Sequence, residues 1–281
     1  MMSETNFKLK LQQLIDQEFK VASNVELDEL LSQLMDNIGT PIFELREQVY
    51  LVLTGLIAAD ELSDEQLKHL LNKCLRPTHL FYGLGKTNDD AVFTRSFTML
   101  VIREIIALNN KKAQAFLNES DIKHVLSEVL TYYPLEMDTR GYAGASGWAH
   151  ATAHAADTFG YLAQSPKVGL EDLLVMLNAI KEKFSTMGTP YSYEEDERTV
   201  NAILCILNRE EMTFESFSIW VDGFAPVTFN HTDMASYVRL YHRRLNQKNM
   251  LRSLYFKLKG NHKYQQHVDL IAQVLTRHNH H

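Results

Sequence analysis

Apolar side chains recur every three to four residues along most of this chain, a spacing that places them on one face of an α-helix. The predicted helical segments cover residues 7–19, 25–38, 41–56, 63–75, 91–108, 118–130, 147–164, 171–184, 194–207, 213–224 and 264–277, with a long helix that starts at 230–233. Ser63 and Gln66 match a capping box at the start of the fourth segment. No segment shows the alternating pattern of a strand, so we expect an all-α fold of about twelve helices.

Helix pairs recur at intervals of roughly 40–50 residues, as in HEAT and armadillo repeats. We therefore expect a right-handed α-α superhelix of HEAT- or armadillo-like stacked helical hairpins. Because no sequence motif repeats, an irregular helical bundle is the alternative. One all-helical domain is expected over residues 1–281, with N-terminal helices at 7–77, site-bearing central helices at 88–208 and basic C-terminal helices at 213–277.

The composition is that of a soluble globular protein. Hydrophobic residues make up 45% of the 281 positions and charged residues 22%. No apolar run is long enough to cross a membrane, and the N-terminal segment is amphipathic, not signal-like. The two cysteines, Cys74 and Cys205, form no CxxC motif. Together these features favour the cytoplasm, although a single disulfide is left open.

Charge is distributed unevenly along the chain. The formal net charge is −7, yet residues 234–268 hold eight lysines and arginines and no acidic residue, which leaves −15 for the rest. The basic helices either balance and dock on an acidic body, or form a surface for phosphate or another anion. The negative net charge argues against a nucleic-acid partner.

The segment at residues 140–166 is unusual. Its predicted helix, 147–164, contains no Lys, Arg or Glu, and Asp157 is its only formal charge. A helix without a charged face is expected to be buried on most sides. Ser146 is the predicted N-cap. One polar line follows the helical period and consists of His150, His154, Asp157 and Tyr161. Such a line must be satisfied by partners, water or a ligand.

The histidines at positions 150 and 154 are one helical turn apart, the spacing by which helical histidine pairs bind zinc. Asp157 is better placed as a hydrogen-bond partner of His154 than as a co-ligand, so a third ligand would come from residues 194–196. Ala151 stands where an HExxH metalloprotease has its glutamate. We expect hydrogen-bonded histidines that line a polar groove or core, with no cofactor; the alternative is a metal-dependent hydrolase that uses a divalent metal on His150 and His154.

Arginines offer a second chemistry. Arg140, beside a glycine-rich loop ahead of a helix, and Arg198 could form an anion site. Alternatively Arg140 pairs with Asp157 or Asp196, and Arg95 with Glu197 or Asp90, as structural ion pairs. Trp148 is either core or a platform for a ligand. The predicted binding residues are Arg95, Arg140, Trp148, His150, His154, Asp157, Asp196 and Arg198. Ser146 is not expected to be a nucleophile, and the tail 277–281 is left outside the site.

Several motifs resemble the DUF2785 family of uncharacterised bacterial proteins. They are FTRSF at 93–97, DTRGY at 138–142, GWAHA at 147–151, AHAAD at 153–157 and EDER at 195–198. The likeness extends over residues 25–275, with Ala155 where the family often has glycine. It implies a bacterial, cytoplasmic, all-helical protein and no particular activity. We therefore expect a helical-repeat protein whose polar groove takes a protein partner or a small anionic ligand.

Overall fold

A computed structural model describes residues 4–21, 24–229 and 233–279. Within these residues the chain forms twelve α-helices and two 3₁₀-helices and no strand, which confirms the all-α prediction. The α-helices are α1 (Glu4–Asp16), α2 (Asn24–Asn37), α3 (Phe43–Ala58), α4 (Asp64–Cys74), α5 (Ala91–Lys111), α6 (Glu119–Leu135), α7 (Ala151–Ala163), α8 (Leu170–Thr186), α9 (Glu195–Leu207), α10 (Phe214–Asp222), α11 (Met234–Leu258) and α12 (Gln265–Asn279). None of these described helices is both long and apolar enough to cross a membrane.

Local capping rules account for several helix starts. Ser63 Oγ accepts a hydrogen bond from the Gln66 amide at 3.2 Å, and the Gln66 side chain accepts one from the Ser63 amide at 3.0 Å. This reciprocal pair is the predicted capping box, and it satisfies two amides that the first turn of α4 leaves unpaired. Ahead of α5, the carboxylate of Asp89 accepts from the amide of Ala91 at 2.9 Å.

The helices stack in two series. Odd-numbered helices pack in the order α1, α3, α5, α7, α9, α11, and the even-numbered helices α6, α8, α10 and α12 pack in a second series. Packing of each helix against the next helix but one in the chain is compatible with stacked helical hairpins. The right-handed superhelix itself stays a prediction, as does the division of one domain into three regions. A single cluster of buried side chains runs from Phe7 to Val274.

Helix α7 lies at the centre of this stack. It packs mainly against α5 and α9 and also contacts α6 and α8. Every residue of α7 is buried except Asp157 and Tyr161, which are half-buried. The small residues allow close approach, since a Cβ added at Gly160 would lie 3.6 Å from the Cα of Ala202 in α9. The expectation of a helix buried on most sides is confirmed.

The predicted start of this helix was wrong. It begins at Ala151, not at residue 147, and Ser146 ends the 3₁₀-helix Gly144–Ser146 without capping anything. Gly147 has φ 73° and ψ −141°. Only glycine adopts this conformation readily, and no helix contains it. Residues 140–150 instead form a closed loop, in which the His150 amide donates to the Arg140 carbonyl at 3.1 Å.

The C-terminal helices are tied to the body by polar contacts. His278 is buried and its Nε2 donates to the carbonyl of Phe224 at 2.8 Å, so this part of the tail belongs to the fold. Residues 280 and 281 lie outside the described part. Lys263 pairs with Glu210 at 2.5 Å, one contact of the basic segment with the acidic body. Cys74 and Cys205 are both free.

Candidate functional site

The loop before α7 is held by a buried ion pair. Arg95 of α5 is fully buried; its Nε donates to Glu136 Oε2 at 2.6 Å and its Nη2 to Glu136 Oε1 at 2.9 Å. Its Nη1 donates to the carbonyls of Tyr82 and Gly83. Burial lowers the pKa of Arg95, but the bonds to Glu136 outweigh it and leave that pKa raised. The partners predicted for Arg95 were therefore wrong, and among the described residues its guanidinium makes no hydrogen bond to another predicted binding residue.

Arg140 also has a nearer partner than those predicted. It pairs with Asp138, two residues away, through Nη2–Oδ2 at 2.8 Å and Nε–Oδ1 at 2.9 Å. Its Nη2 additionally donates to the carbonyl of Asp89. The ion pairs predicted for Arg140 with Asp157 or Asp196 were wrong. The carboxylate of Asp138, two residues away, already binds the guanidinium nitrogens that such a pair would use.

Asp196, another predicted binding residue, connects α9 to α11. Its Oδ2 accepts a hydrogen bond from the Ser253 hydroxyl at 2.5 Å. It therefore fastens the basic C-terminal helix to the body and does not join the histidines.

Asp157 is the point where three helices meet. Its Oδ2 accepts from Nη2 of Arg198 on α9 and, at 3.4 Å, from Nη1 of Arg103 on α5. Arg103 further pairs with Glu104 and donates to the Tyr50 hydroxyl at 2.8 Å. Asp157 thus serves two arginines, and the predicted bond to His154 is not made. Sequence reasoning missed Arg103, whose only signal was a pair of adjacent charges, Arg103 and Glu104, between apolar residues of α5.

Arg198 has a guanidinium nitrogen that is not used in its ion pair with Asp157. Its Nε and Nη2 both donate to Asp157, and among the described residues its Nη1 makes no hydrogen bond. The side chain is 27% exposed. A guanidinium with one arm fixed by a carboxylate and the other arm free can donate to an anionic oxygen without moving.

His154 is buried and neutral. The Ser96 hydroxyl donates its one proton to the carbonyl of Ala149. At the 2.7 Å contact between Ser96 Oγ and His154 Nδ1 the imidazole must therefore be the donor. The proton of neutral His154 is thereby assigned to Nδ1, and Nε2 carries the lone pair. Burial, followed by the charge of Arg198, holds the pKa of His154 well below its usual value. Ser96 was another residue that sequence reasoning missed.

His150 occupies a strained position at the N-cap of α7. Its φ is 49°, in the left-handed region. This conformation is uncommon for a residue other than glycine and collects at functional sites. Its ring lies 6.1 Å from that of His154 between centroids. The Nε2 atom of His150 is buried and has no hydrogen-bond partner among the described residues. Burial and then Arg198 lower the pKa of His150, against the backbone of Tyr193, which raises it.

Three exposed aromatic side chains lie beside His150, and we call Tyr142, Trp148 and Tyr193 the aromatic platform. They are 51%, 44% and 40% exposed. Tyr142 and Tyr193 meet Trp148 edge to face, at ring-centroid distances of 5.2 and 5.6 Å. His150 stacks on Trp148 at 4.8 Å and 21°. Trp148 is therefore a surface residue, and of the two roles predicted for it, core is wrong.

The described residues contain no group of three or more His, Cys, Asp or Glu side chains that could hold a metal ion. The third ligand was expected from residues 194–196. Glu195 is buried and its Oε2 accepts from the Tyr193 amide at 2.8 Å, while Asp196 binds Ser253. A catalytic zinc site ordinarily has three protein ligands. The metal on His150 and His154 stays a prediction, without a third ligand in the described part.

Two surface concavities, of about 870 and 800 Å³, lie beside the N-terminal helices and contain none of the predicted binding residues. In the larger one, Lys112 bridges Asp60 and Asp64 at 2.9 and 3.1 Å, and Gln66 donates to Asp28. These concavities do not coincide with the predicted site, where the Nε2 of His150 is one of thirteen buried side-chain atoms without a hydrogen-bond partner in the described residues.

Searches of curated proteins and of solved structures found no match to this chain. A family model does match: that of the family described as "Protein of unknown function (DUF2785)", over residues 80–256. The matched segment is more than half of the chain and includes α5, α7, α9 and the aromatic platform. The resemblance read from the motifs is thereby confirmed, and this chain belongs to the DUF2785 family.

Proposed function

We propose that this protein binds a small anionic ligand in a groove between α5, α7 and α9. We call this the Arg198 groove and define it by Arg103, His150, His154, Asp157 and Arg198. The observation that carries the proposal is the buried, unpartnered Nε2 of His150 close to an arginine with a free arm. A buried polar atom without a partner is costly, and a ligand that reaches it recovers that cost.

Asp157, Arg103, Arg198 and His150 each have a part in binding. Asp157 holds Arg198 and Arg103 in place, so the guanidinium is preorganised before the ligand arrives. One oxygen of the anion accepts from Arg198 Nη1, and a second lies against His150. Burial and the charge of Arg198 lower the pKa of free His150, and an anion bound beside the ring favours its protonated form, in which both ring nitrogens donate. Binding of an anion is therefore coupled to proton uptake, and affinity increases as the pH falls from 7.5 toward 6.

Titration calorimetry with inorganic phosphate and with acetate tests this proposal. Replacing Arg198 by Gln removes a charge-assisted hydrogen bond worth about 1.5–3 kcal/mol, so the affinity should fall about ten- to a hundredfold. Arg277→Gln is the matched control, since Arg277 is also a helical arginine paired with one aspartate, at 2.5 Å, and lies outside the groove. It should bind as the unaltered chain does.

The result that contradicts the proposal is equal affinity for the Arg198 variant and the unaltered chain, or no binding of either anion at tens of millimolar. Far-UV circular dichroism of each variant shows whether the helices are intact. Arg198→Lys adds a second comparison, because it keeps the charge and loses the two-armed geometry. Intermediate affinity is expected for it. Proton uptake is read from the same titrations in two buffers of different ionisation enthalpy.

We do not propose that this protein is a metal-dependent hydrolase. Such an enzyme requires a third ligand beside His150 and His154, and two of the three carboxylates expected to supply it, Glu195 and Asp196, accept hydrogen bonds from Tyr193 and Ser253. The anion site, by contrast, uses groups that are already in place.

A further inference from the structure

The aromatic platform is built to stay in one conformation although it is exposed. The loop that carries Tyr142 and Trp148 is closed by hydrogen bonds from Ala149 N to Gly141 O at 2.8 Å and from Ala143 N to Gly147 O at 2.7 Å. The backbone of Gly141 packs directly under Tyr193, because a Cβ added there would lie 2.4 Å from that side chain. Exposed apolar rings that lie together as a patch, and not singly, are typical of ligand or partner sites.

The platform and the Arg198 groove meet at His150. One face of the Trp148 indole is covered by the His150 ring at 4.8 Å, so the exposed 44% of Trp148 lies away from that ring. Tyr193 is 6.4 Å from His150 between ring centroids and precedes Arg198 by five residues at the start of α9. A ligand whose charged group reaches Arg198 and His150 therefore has three exposed rings beside it.

The chemistry of these neighbours selects one class of ligand. A cation would be attracted by the rings but repelled by Arg198 and Arg103. A small aliphatic anion would bind Arg198 but leave the three rings of the aromatic platform exposed to water. A flat ring stacks on tryptophan and tyrosine with a gain that raises affinity about tenfold or more.

We propose that the anion bound in the Arg198 groove also carries a flat aromatic ring, which stacks on Trp148 and contacts Tyr142 and Tyr193 edge to face. This inference rests on the proposed function, because it specifies the ligand of the same groove. The ligand class is an aromatic carboxylate or an aromatic phosphate ester. The anionic end fixes the position and the ring supplies the selectivity.

Two pairs of probes differ only by a ring: inorganic phosphate with phenyl phosphate, and acetate with benzoate. In titration calorimetry the member with the ring should bind about tenfold or more tightly than its partner. Trp148→Ala should abolish that preference, so that phenyl phosphate and benzoate bind this variant no more tightly than inorganic phosphate and acetate do. Tyr142→Ala, at the most exposed ring, should reduce the preference and gives a second variant if Trp148→Ala fails to fold.

Fluorescence supplies an independent reading, since the chain has two tryptophans and only Trp148 is exposed. Trp220 is buried, with its Nε1 donating to the Leu177 carbonyl at 2.7 Å. In a Trp220→Phe background phenyl phosphate should quench Trp148, whereas in a Trp148→Phe background it should leave Trp220 unchanged.

The outcomes separate the two proposals. Equal affinity within each probe pair, or a preference that Trp148→Ala leaves intact, overturns the aromatic inference and leaves the anion site standing. Failure of all four probes to bind overturns the anion site, and the aromatic inference with it. Loss of the preference in the platform variants, together with weaker binding of both members in Arg198→Gln, supports both.

Discussion

Removing one partner of the Arg95–Glu136 pair should destabilise this protein far more than removing an ordinary charged side chain. Both side chains are 0% exposed and share two hydrogen bonds, of 2.6 and 2.9 Å. The Glu136 carboxylate also accepts from the Tyr132 hydroxyl at 2.8 Å and from the Asp138 amide at 2.9 Å. The pair therefore connects α5 and α6 to the loop that carries His150.

Replacing Arg95 by Met leaves a carboxylate buried without its counter-charge and removes the donor from the carbonyls of Tyr82 and Gly83. The loss of a partner from a buried pair costs about 3–5 kcal/mol. Since a domain has about 5–15 kcal/mol in total, the variant should fold but with much reduced stability. Replacing Glu136 by Leu should cost a similar amount. The double variant should be no less stable than either single variant, because neither charge is then left unpaired.

Urea denaturation followed by circular dichroism at pH 7.5 measures these free energies of unfolding, provided that the m-values agree. The same preparations are titrated with inorganic phosphate. A loss of less than about 1 kcal/mol for Arg95→Met, accompanied by loss of phosphate binding, would contradict the structural role and return Arg95 to the ligand contacts.

Three further predictions concern α7, the loop before it and the metal. The stability contribution of buried, neutral His154 is complete above its ordinary pKa of 6.5 and is lost as the pH falls below that value, because the unfolded chain takes up a proton that the folded chain refuses. His154→Gln should therefore lessen the dependence of unfolding free energy on pH between 6.5 and 5, by up to about 1.4 kcal/mol per pH unit. His124→Gln, at an exposed site, should not. Gly147→Ala should lower the thermal midpoint much more than Gly144→Ala. Both glycines have positive φ, at 73° and 65°, but only at Gly147 would a Cβ meet a side chain, that of Phe43, at 2.2 Å. Equal decreases in the thermal midpoint of the two variants would show that the structure relieves the clash between residue 147 and Phe43. Protein prepared without an affinity tag should contain less than about 0.1 equivalent of transition metal, and a full equivalent lost on mutating His150 would revive the hydrolase.

The sequence alone predicted the helices well where local chemistry decides. The capping pair of Ser63 and Gln66 and the apolar period depend on residues within one or two turns, so no tertiary information is needed. The burial of α7 was equally predictable, because a helix with one charge has no face to offer to water. The convergence of Asp157 and Arg198 was among the expectations, and the structure contains that contact.

The predictions that were wrong or missing depended on distant partners, on one backbone angle or on a partner two residues away. Arg103 lies 54 positions from Asp157, and nothing in either segment indicates that they meet. The start of α7 was misplaced because the alanine-rich pattern continues smoothly through Gly147, while the positive φ of that residue is visible only in the fold. Arg140 pairs with a carboxylate two residues away. Helical spacing predicts partners three or four residues apart, so it does not indicate a pair separated by two residues.

The most direct test of the anion site follows the imidazole of His150 itself. With ¹³C-labelled histidine and a His150→Gln variant to assign the signal, the Cε1–Hε1 resonance is titrated with pH in the absence and presence of inorganic phosphate. We predict that phosphate shifts this resonance and raises the pKa of His150, since the bound anion stabilises the protonated ring. A His150 resonance that phosphate leaves unchanged in both position and pKa would contradict the account.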